Sequence, residues 1–241
     1  MAILLARCYV LSAMMSSQAP RFVVAIDGPA GAGKSTVART LATRLGYTFL
    51  DTGALYRTVA LVAQGKQIHW DDGARLGELT RALDIVFVRE PDRIRILADA
   101  RDVTDAIRRA EISEGASRVS AHADVRAGLL EMQRRVAAQA NVVAEGRDIG
   151  TVVFPAARAK FFLIANLETR AQRRTLELQA AGRPTVLAEV LADMRVRDER
   201  DSGRAVAPLR RADDAIEIDS SLATPDEVVE RMMAIVRSRG G

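Results

Sequence analysis

Gly28, four further residues, and then Gly33, Lys34 and Ser35 set a glycine-rich turn directly before a lysine and a hydroxyl. This spacing suits a phosphate cradle: successive backbone N–H groups point inward around an anion, and glycine allows the angles and the close approach that this requires. Gly28, Pro29, Ala30, Gly31, Ala32, Gly33, Lys34, Ser35 and Thr36 are therefore the candidate nucleotide-phosphate residues. Lys34 would reach the β- and γ-phosphates, and the Ser35 hydroxyl suits Mg2+. A glycine-rich turn with an incidental lysine is the plain alternative. The loop by itself does not decide between hydrolysis and transfer, because GTPases, ATPases, kinases and transporters share it.

Three later stretches bear on where a phosphoryl group would go. "LDTGALYR" (50–57) puts Thr52 and Gly53 just past an apolar run, with Arg57 one helical turn further on. "AEGRDIGTVVFP" (144–155) puts Arg147 and Asp148 in an equivalent place. One arginine beside an aspartate reads as a salt bridge, but two loops offering arginines at one edge point to a second phosphate site. "RVRDERDSGRAVAPLRR" (195–211) brings Arg197, Arg200 and Arg204 near Asp198 and Asp201. It reads either as an exposed helix laced with ion pairs, worth little in stability, or as a lid whose guanidinium groups neutralise a transferring phosphoryl group once water has left.

His69 and His122 are the only histidines, so a histidine-centred base has few candidates. A phosphate acceptor needs none. It is already an anion near neutral pH, whereas an alcohol acceptor would call for a positioned carboxylate. An Asn-Lys-x-Asp guanine-reading element is missing, since neither Asn141 nor Asn166 precedes a lysine.

Elements able to position these residues follow in order. "RFVVAID" (21–27) reads as a strand buried on both faces. The helix after the loop has Val37, Leu41 and Leu45 on one face and Gly46 as its stop. "YTFLD" (47–51) reads as a strand and "ALYRTVALVAQ" (54–64) as a helix closed by Gly65. "NVVAE", "KFFLIA" and "AIEID" supply three more strands, and Thr224, Pro225 and Glu227 form a helix start. Five strands alternating with helices predict an α/β fold with a doubly wound five-stranded parallel sheet flanked by helices. Two segments interrupt it. Residues 84–103 read as short antiparallel strands with turns at Glu90-Pro91-Asp92 and at 98–100, and 179–211 read as a polar, arginine-rich lid.

The 241 residues suit one domain with insertions. The net charge of +4 comes mostly from arginines that read as solvated helix faces, and with so few aromatics the sequence gives little sign of stable nucleic-acid binding. Cys8 is the only cysteine, which excludes a disulfide framework and fits a cytoplasmic location. Residues 1–20 are apolar but split by Arg7, and too short for a membrane span; they are expected to form a flexible extension, or to precede a true start at Met14 or Met15.

Taken together, "IDGPAGAGKST", "LDTGALYR", "EGRDIGTVVFP" and "RDERDSGRAVAPL" closely resemble the bacterial cytidylate kinases, from about Arg21 to the C-terminus. The resemblance implies a P-loop kinase, 21–241, with a nucleoside-monophosphate insertion at about 66–113 and a lid at about 179–211. It implies transfer of the γ-phosphoryl group of ATP to CMP or dCMP with Mg2+. A monomer with no membrane or stable nucleic-acid partner is expected. By the same resemblance Thr52 (where serine is common), Ser117, Arg126 and Asp148 frame the cytosine. Arg57, Arg147 and Arg204 hold the acceptor phosphate, Asp201 a sugar hydroxyl, and Arg197 the transferring group. Lys34, Arg197 and Arg204 are then the catalytic candidates. On pattern alone Ser117 and Arg126 would be ordinary helix-surface residues. An acceptor such as Asp148 does suit the N4 amine of cytosine, and donors suit its O2 and N3. Another small acceptor such as UMP, or a nucleotide-dependent RNA-binding module, remains as an alternative.

Overall fold

A computed structural model describes residues 21–90, 94–180 and 182–241. The expected extension over 1–20, and Pro91 and Asp92 of the expected turn, lie outside the described residues. In chain order the elements are β1 (Val23–Asp27), α1 (Lys34–Leu45), β2 (Thr48–Asp51), α2 (Thr52–Gly65), α3 (Gly73–Ala82), β3 (Ile85–Arg89), β4 (Ile94–Ala98) and β5 (Arg101–Asp102). They continue with α4 (Ala110–Val119), α5 (Ala123–Gln139), β6 (Val142–Gly146), β7 (Ala159–Ile164), α6 (Leu167–Ala180), α7 (Leu187–Gly203), β8 (Ile216–Asp219) and α8 (Pro225–Ser238).

The main sheet has the order β2-β6-β1-β7-β8 with every pairing parallel. β1 is central because its residues can be buried on both sides: Val24, Ala25 and Ile26 are fully inaccessible. On one face Val37 and Leu41 of α1 join Val229, Met232 and Val236 of α8 over Ile26 and Phe161. Each such side chain contributes about 1.5–3 kcal/mol by leaving water. On the other face Ala137 of α5 and Ile149 and Val153 cover Leu50 and Ala144. A parallel sheet covered in this way leaves one edge for ligands, at the carboxyl ends of its strands. β1 and its neighbour β6 both deliver their following loops there.

The start of α8 matches its sequence signal, with Thr224 and Glu227 forming a reciprocal capping box. α2 begins earlier than its apolar spacing suggests. Asp51 accepts a hydrogen bond from the Ala54 N–H and so caps a helix that starts at Thr52. The antiparallel strands β3, β4 and β5 form a separate three-stranded sheet, and Asp99 and Ala100 turn between two of them with positive φ. Ile85, Ile96 and Ala98 of this sheet pack with α2 to α5 in their own apolar cluster. The arginine-rich stretch is mostly the 17-residue helix α7, docked on α6 through Val190, Met194 and Ala171. Among the described residues no helix is long and apolar enough to cross a membrane.

Gly28 has φ +150°, and a Cβ there would stand 2.0 Å from the Leu163 carbonyl oxygen on β7. Backbone cannot yield as a side chain can. Gly28→Ala is expected to cost about 4 kcal/mol or more, lowering Tm by roughly 10 °C. Gly65→Ala meets nothing within 4 Å and is expected to leave Tm unchanged or slightly higher. Thermal denaturation of the pair checks both, and equal shifts would contradict the steric account.

Candidate active site

The phosphate loop leaves β1 at Gly28 and enters α1 at Lys34. Gly31 and Gly33 both have positive φ, which orients consecutive N–H groups into the turn. Gly33 caps α1 without a side-chain hydrogen bond, so the helix presents its first backbone donors and the positive end of its dipole at this point. Lys34 is nearly buried, and its Nζ donates to the Pro29 carbonyl at 2.7 Å. Burial, helped by Arg147 and Arg197, pushes its ammonium down to about 7. The Ser35 hydroxyl donates to the Glu145 carboxylate, whose proton affinity is raised by burial and by Asp51.

This loop forms one wall of a cleft of about 900 Å³. Residues 30–36 line it, as do Thr52, Arg57, Ser117, Arg126, Arg147, Asp148, Arg197, Asp201 and Arg204. Gly28 and Pro29 lie outside that lining. Arg57, Arg147 and Arg204, from α2, the loop after β6 and the end of α7, therefore share one hollow with the phosphate loop.

Carboxylates hold several of these arginines, while the Nε of Arg204 donates to the Ala207 carbonyl at 2.5 Å. Arg147 does not pair with Asp148; its Nε donates to Asp201 at 2.9 Å. Burial alone would raise the Asp201 carboxyl, but Arg147 and Arg197 hold it below its ordinary value. Asp148 instead receives Arg126 and lies 3.8 Å from Arg204. Arg57 donates to Asp51 at 2.7 Å. Arg197 is lowered to about 10, by burial and then by Arg147. Among the described residues, buried N–H donors on Arg57, Arg197 and Arg204 have no hydrogen-bond partner. Leaving such groups unsatisfied is costly, and a polyanion could take up all three.

Ser117 and Arg126 correct the reading from pattern: both are buried, at 5% and 8% exposure. They lie on the cleft side of α4 and α5 because α7 and the loop after β6 cover them. Ser117 donates to Asp201 at 3.3 Å, and Arg126 donates to the Ser120 carbonyl at 3.1 Å. Helix periodicity cannot reveal a face that is buried by an element some eighty residues downstream. Thr52 donates to the Glu145 carbonyl at 2.7 Å, joining the start of α2 to β6 at the floor.

Four contributors escaped the sequence reading. Asp51 ends β2 and Glu145 is next to last in β6, each inside a quoted motif, and that position was the available signal. Tyr56 lies under Arg126, 5.5 Å from guanidinium to ring centre, a cation–π contact; burial pushes its hydroxyl up to about 12. Arg170 resembles any helix arginine, yet it donates to the Ala165 carbonyl at 3.0 Å, the Ala30 carbonyl at 3.1 Å and Asp198 at 2.7 Å. One guanidinium thereby ties the phosphate loop, β7 and α7 together.

A family model described as cytidylate kinase matches residues 24–238. The chain is 54% identical to the cytidylate kinase of Geobacter sulfurreducens over 90% of its own length and 93% of the relative's. It is 52% identical to that of Geobacter sp. strain M21 over the same shares. Against the cytidylate kinase of Vibrio parahaemolyticus it is 44% identical over 93% of this chain and 99% of the relative. A match that runs from the second residue of the central strand through the last helix takes in both walls of the cleft, and the protein belongs to the cytidylate kinase family.

Proposed function

We propose that the protein phosphorylates CMP and dCMP, with ATP as donor, to give CDP or dCDP and ADP. An oxygen of the acceptor's own phosphate attacks the γ-phosphorus of ATP in line. The bond from that phosphorus to the β–γ bridging oxygen breaks, and the electron pair leaves with ADP. Support comes above all from one observation: Arg57, Arg147 and Arg204, from three separate elements, share a single cleft with the phosphate loop and Arg197, and among the described residues Arg57, Arg197 and Arg204 each carry a buried donor without a partner. Two polyanions can meet there without mutual repulsion deciding the outcome.

In this reading residues 30–36 hold the donor phosphates and Lys34 follows the charge on the transferring group. Arg57, Arg147 and Arg204 fix the acceptor phosphate, Arg197 faces the γ-phosphoryl oxygens, and Asp201 takes a sugar hydroxyl. Thr52, Ser117, Arg126 and Asp148 frame the cytosine. Among the described residues no three His, Cys, Asp or Glu side chains converge on a metal of their own. A serine hydroxyl beside one carboxylate is an oxygen set of the kind Mg2+ completes with nucleotide phosphates and water. Ser35 and Glu145 would hold it, and the ion would supply charge neutralisation across the β- and γ-oxygens.

The insertion at about 66–113 and the lid at about 179–211 belong to the same proposal, supported by their separate apolar clusters. So does action as a cytoplasmic monomer; a chain with a single cysteine suits a reducing compartment. The test is a panel of CMP, dCMP, UMP, AMP and GMP with ATP and Mg2+, followed by ADP release. CMP and dCMP should exceed the others by about 100-fold or more in kcat/KM. Comparable rates across the panel would overturn the assignment.

A further inference from the structure

The turn Ile149–Val153 is a single π-helical turn that begins immediately after Asp148. Asp148 occupies its cap position but makes no side-chain bond to it, because its carboxylate is engaged by Arg126 and Arg204. The leading N–H groups are capped from elsewhere. Oδ1 of Asp27 accepts from the Ile149 N–H at 2.7 Å, and Oδ2 accepts from the Gly150 N–H at 2.8 Å. Asp27 ends β1, is 3% exposed and directly precedes Gly28.

The joint is tight on both sides. A Cβ on Gly150 would lie 3.1 Å from the Lys160 Cδ and 3.4 Å from Oδ2 of Asp27, and one on Gly146 would lie 2.7 Å from the Ile149 Cδ1. Burial raises the Asp27 carboxyl to about 6, against the pull of the Gly150 and Ile149 N–H groups. At pH 8 it is ionised and both oxygens accept.

We infer that Asp27 is a positioning residue for the acceptor side of the cleft: it caps the 149–153 turn from the strand that carries the phosphate loop, and so frees the Asp148 carboxylate to face the cleft. Arg147 and Asp148 are thereby held in register with Lys34 across the β1–β6 pair. The inference rests on the proposed reading of Asp148 as a base contact. It goes beyond that reading by naming the residue that makes the contact available.

Asp27→Asn keeps the shape and one acceptor but turns an NH2 group against a backbone N–H. The KM for CMP is expected to rise about 10–100-fold, as misplacement of a binding group does, with the KM for ATP changing by less than about threefold. The CMP-over-UMP ratio should shrink, and amide exchange should quicken at 147–153 while that of β1 and α1 holds. A rise shared equally by both KM values, or no rise at all, would overturn the inference. A wild-type enzyme that does not favour CMP over UMP would overturn the reading of Asp148 instead, leaving the exchange comparison as the test of Asp27. Should the variant fail to fold, the wild-type amides of Ile149 and Gly150 decide the matter: exchange only through global opening supports the cap, and exchange at an unprotected rate refutes it.

Discussion

Lys34→Met is expected to lower kcat/KM by about 10⁴-fold, in the range seen when a charge aimed at a transferring phosphoryl group is lost, and to raise Tm. The two effects share one cause. Burial first, then Arg147 and Arg197, hold this ammonium near 7 in the fold, against about 10.4 in an unfolded chain. Below pH 7 the lysine is charged in both states, and the fold bears the whole cost. Between pH 7 and about 10.4 the folded lysine loses its proton first, so this group's contribution to stability improves as pH rises. Methionine removes the cost. A gain of about 2 kcal/mol, or roughly 5 °C, is expected near pH 6 and should fade toward pH 10. The phosphates of ATP restore the preference for the ammonium, so binding at pH 8 should take up a proton in the wild type and none through this group in the variant. Calorimetric titration in buffers of different ionisation enthalpy reads that proton. Unchanged uptake in Lys34→Met, or a lower Tm at pH 6, would contradict the account.

Asp148→Asn is expected to lower kcat/KM for CMP by about 10³-fold and to shrink the advantage of CMP over UMP by about 100-fold. The carboxylate is 4% exposed and lies between Arg126 and Arg204. In the proposed pose it accepts from the N4 amine of cytosine. A carboxamide can turn its NH2 toward the O4 of uracil instead, so the substitution loses a penalty against UMP as well as a contact to CMP. The variant should also be less stable, because two buried guanidinium groups would then face each other without a charge between them. Partial unfolding would reduce both substrates equally. The CMP:UMP ratio of kcat/KM is therefore the deciding quantity, and an unchanged ratio would remove Asp148 from base reading.

The sequence made the frame legible because each main strand is a short apolar run beside a turn signal, and burial on both faces leaves little else for such runs to do. Residues carried by loops at strand ends, such as Thr52, Arg147 and Asp148, were legible for the same reason: their position follows from topology. Contacts that depend on later chain were not. Arg147 lies next to Asp148 in sequence and pairs with Asp201 in space. Ser117 is covered by Asp201 of α7 and Arg126 by Asp148 of the loop after β6, both later in the chain. Asp27 looks like the last residue of a strand, and nothing in its neighbourhood announces two hydrogen bonds to a turn 122 residues away.

The account depends most on both nucleotides occupying one continuous hollow at the same time. A single compound joining adenosine to cytidine through a five-phosphate bridge tests this directly, by steady-state inhibition measured separately against ATP and against CMP. Competition with both substrates, abolished together by Lys34→Met and weakened by Arg147→Ala, is the expected result. Competition with only one of them, leaving the other nucleotide free to bind alongside, would contradict it.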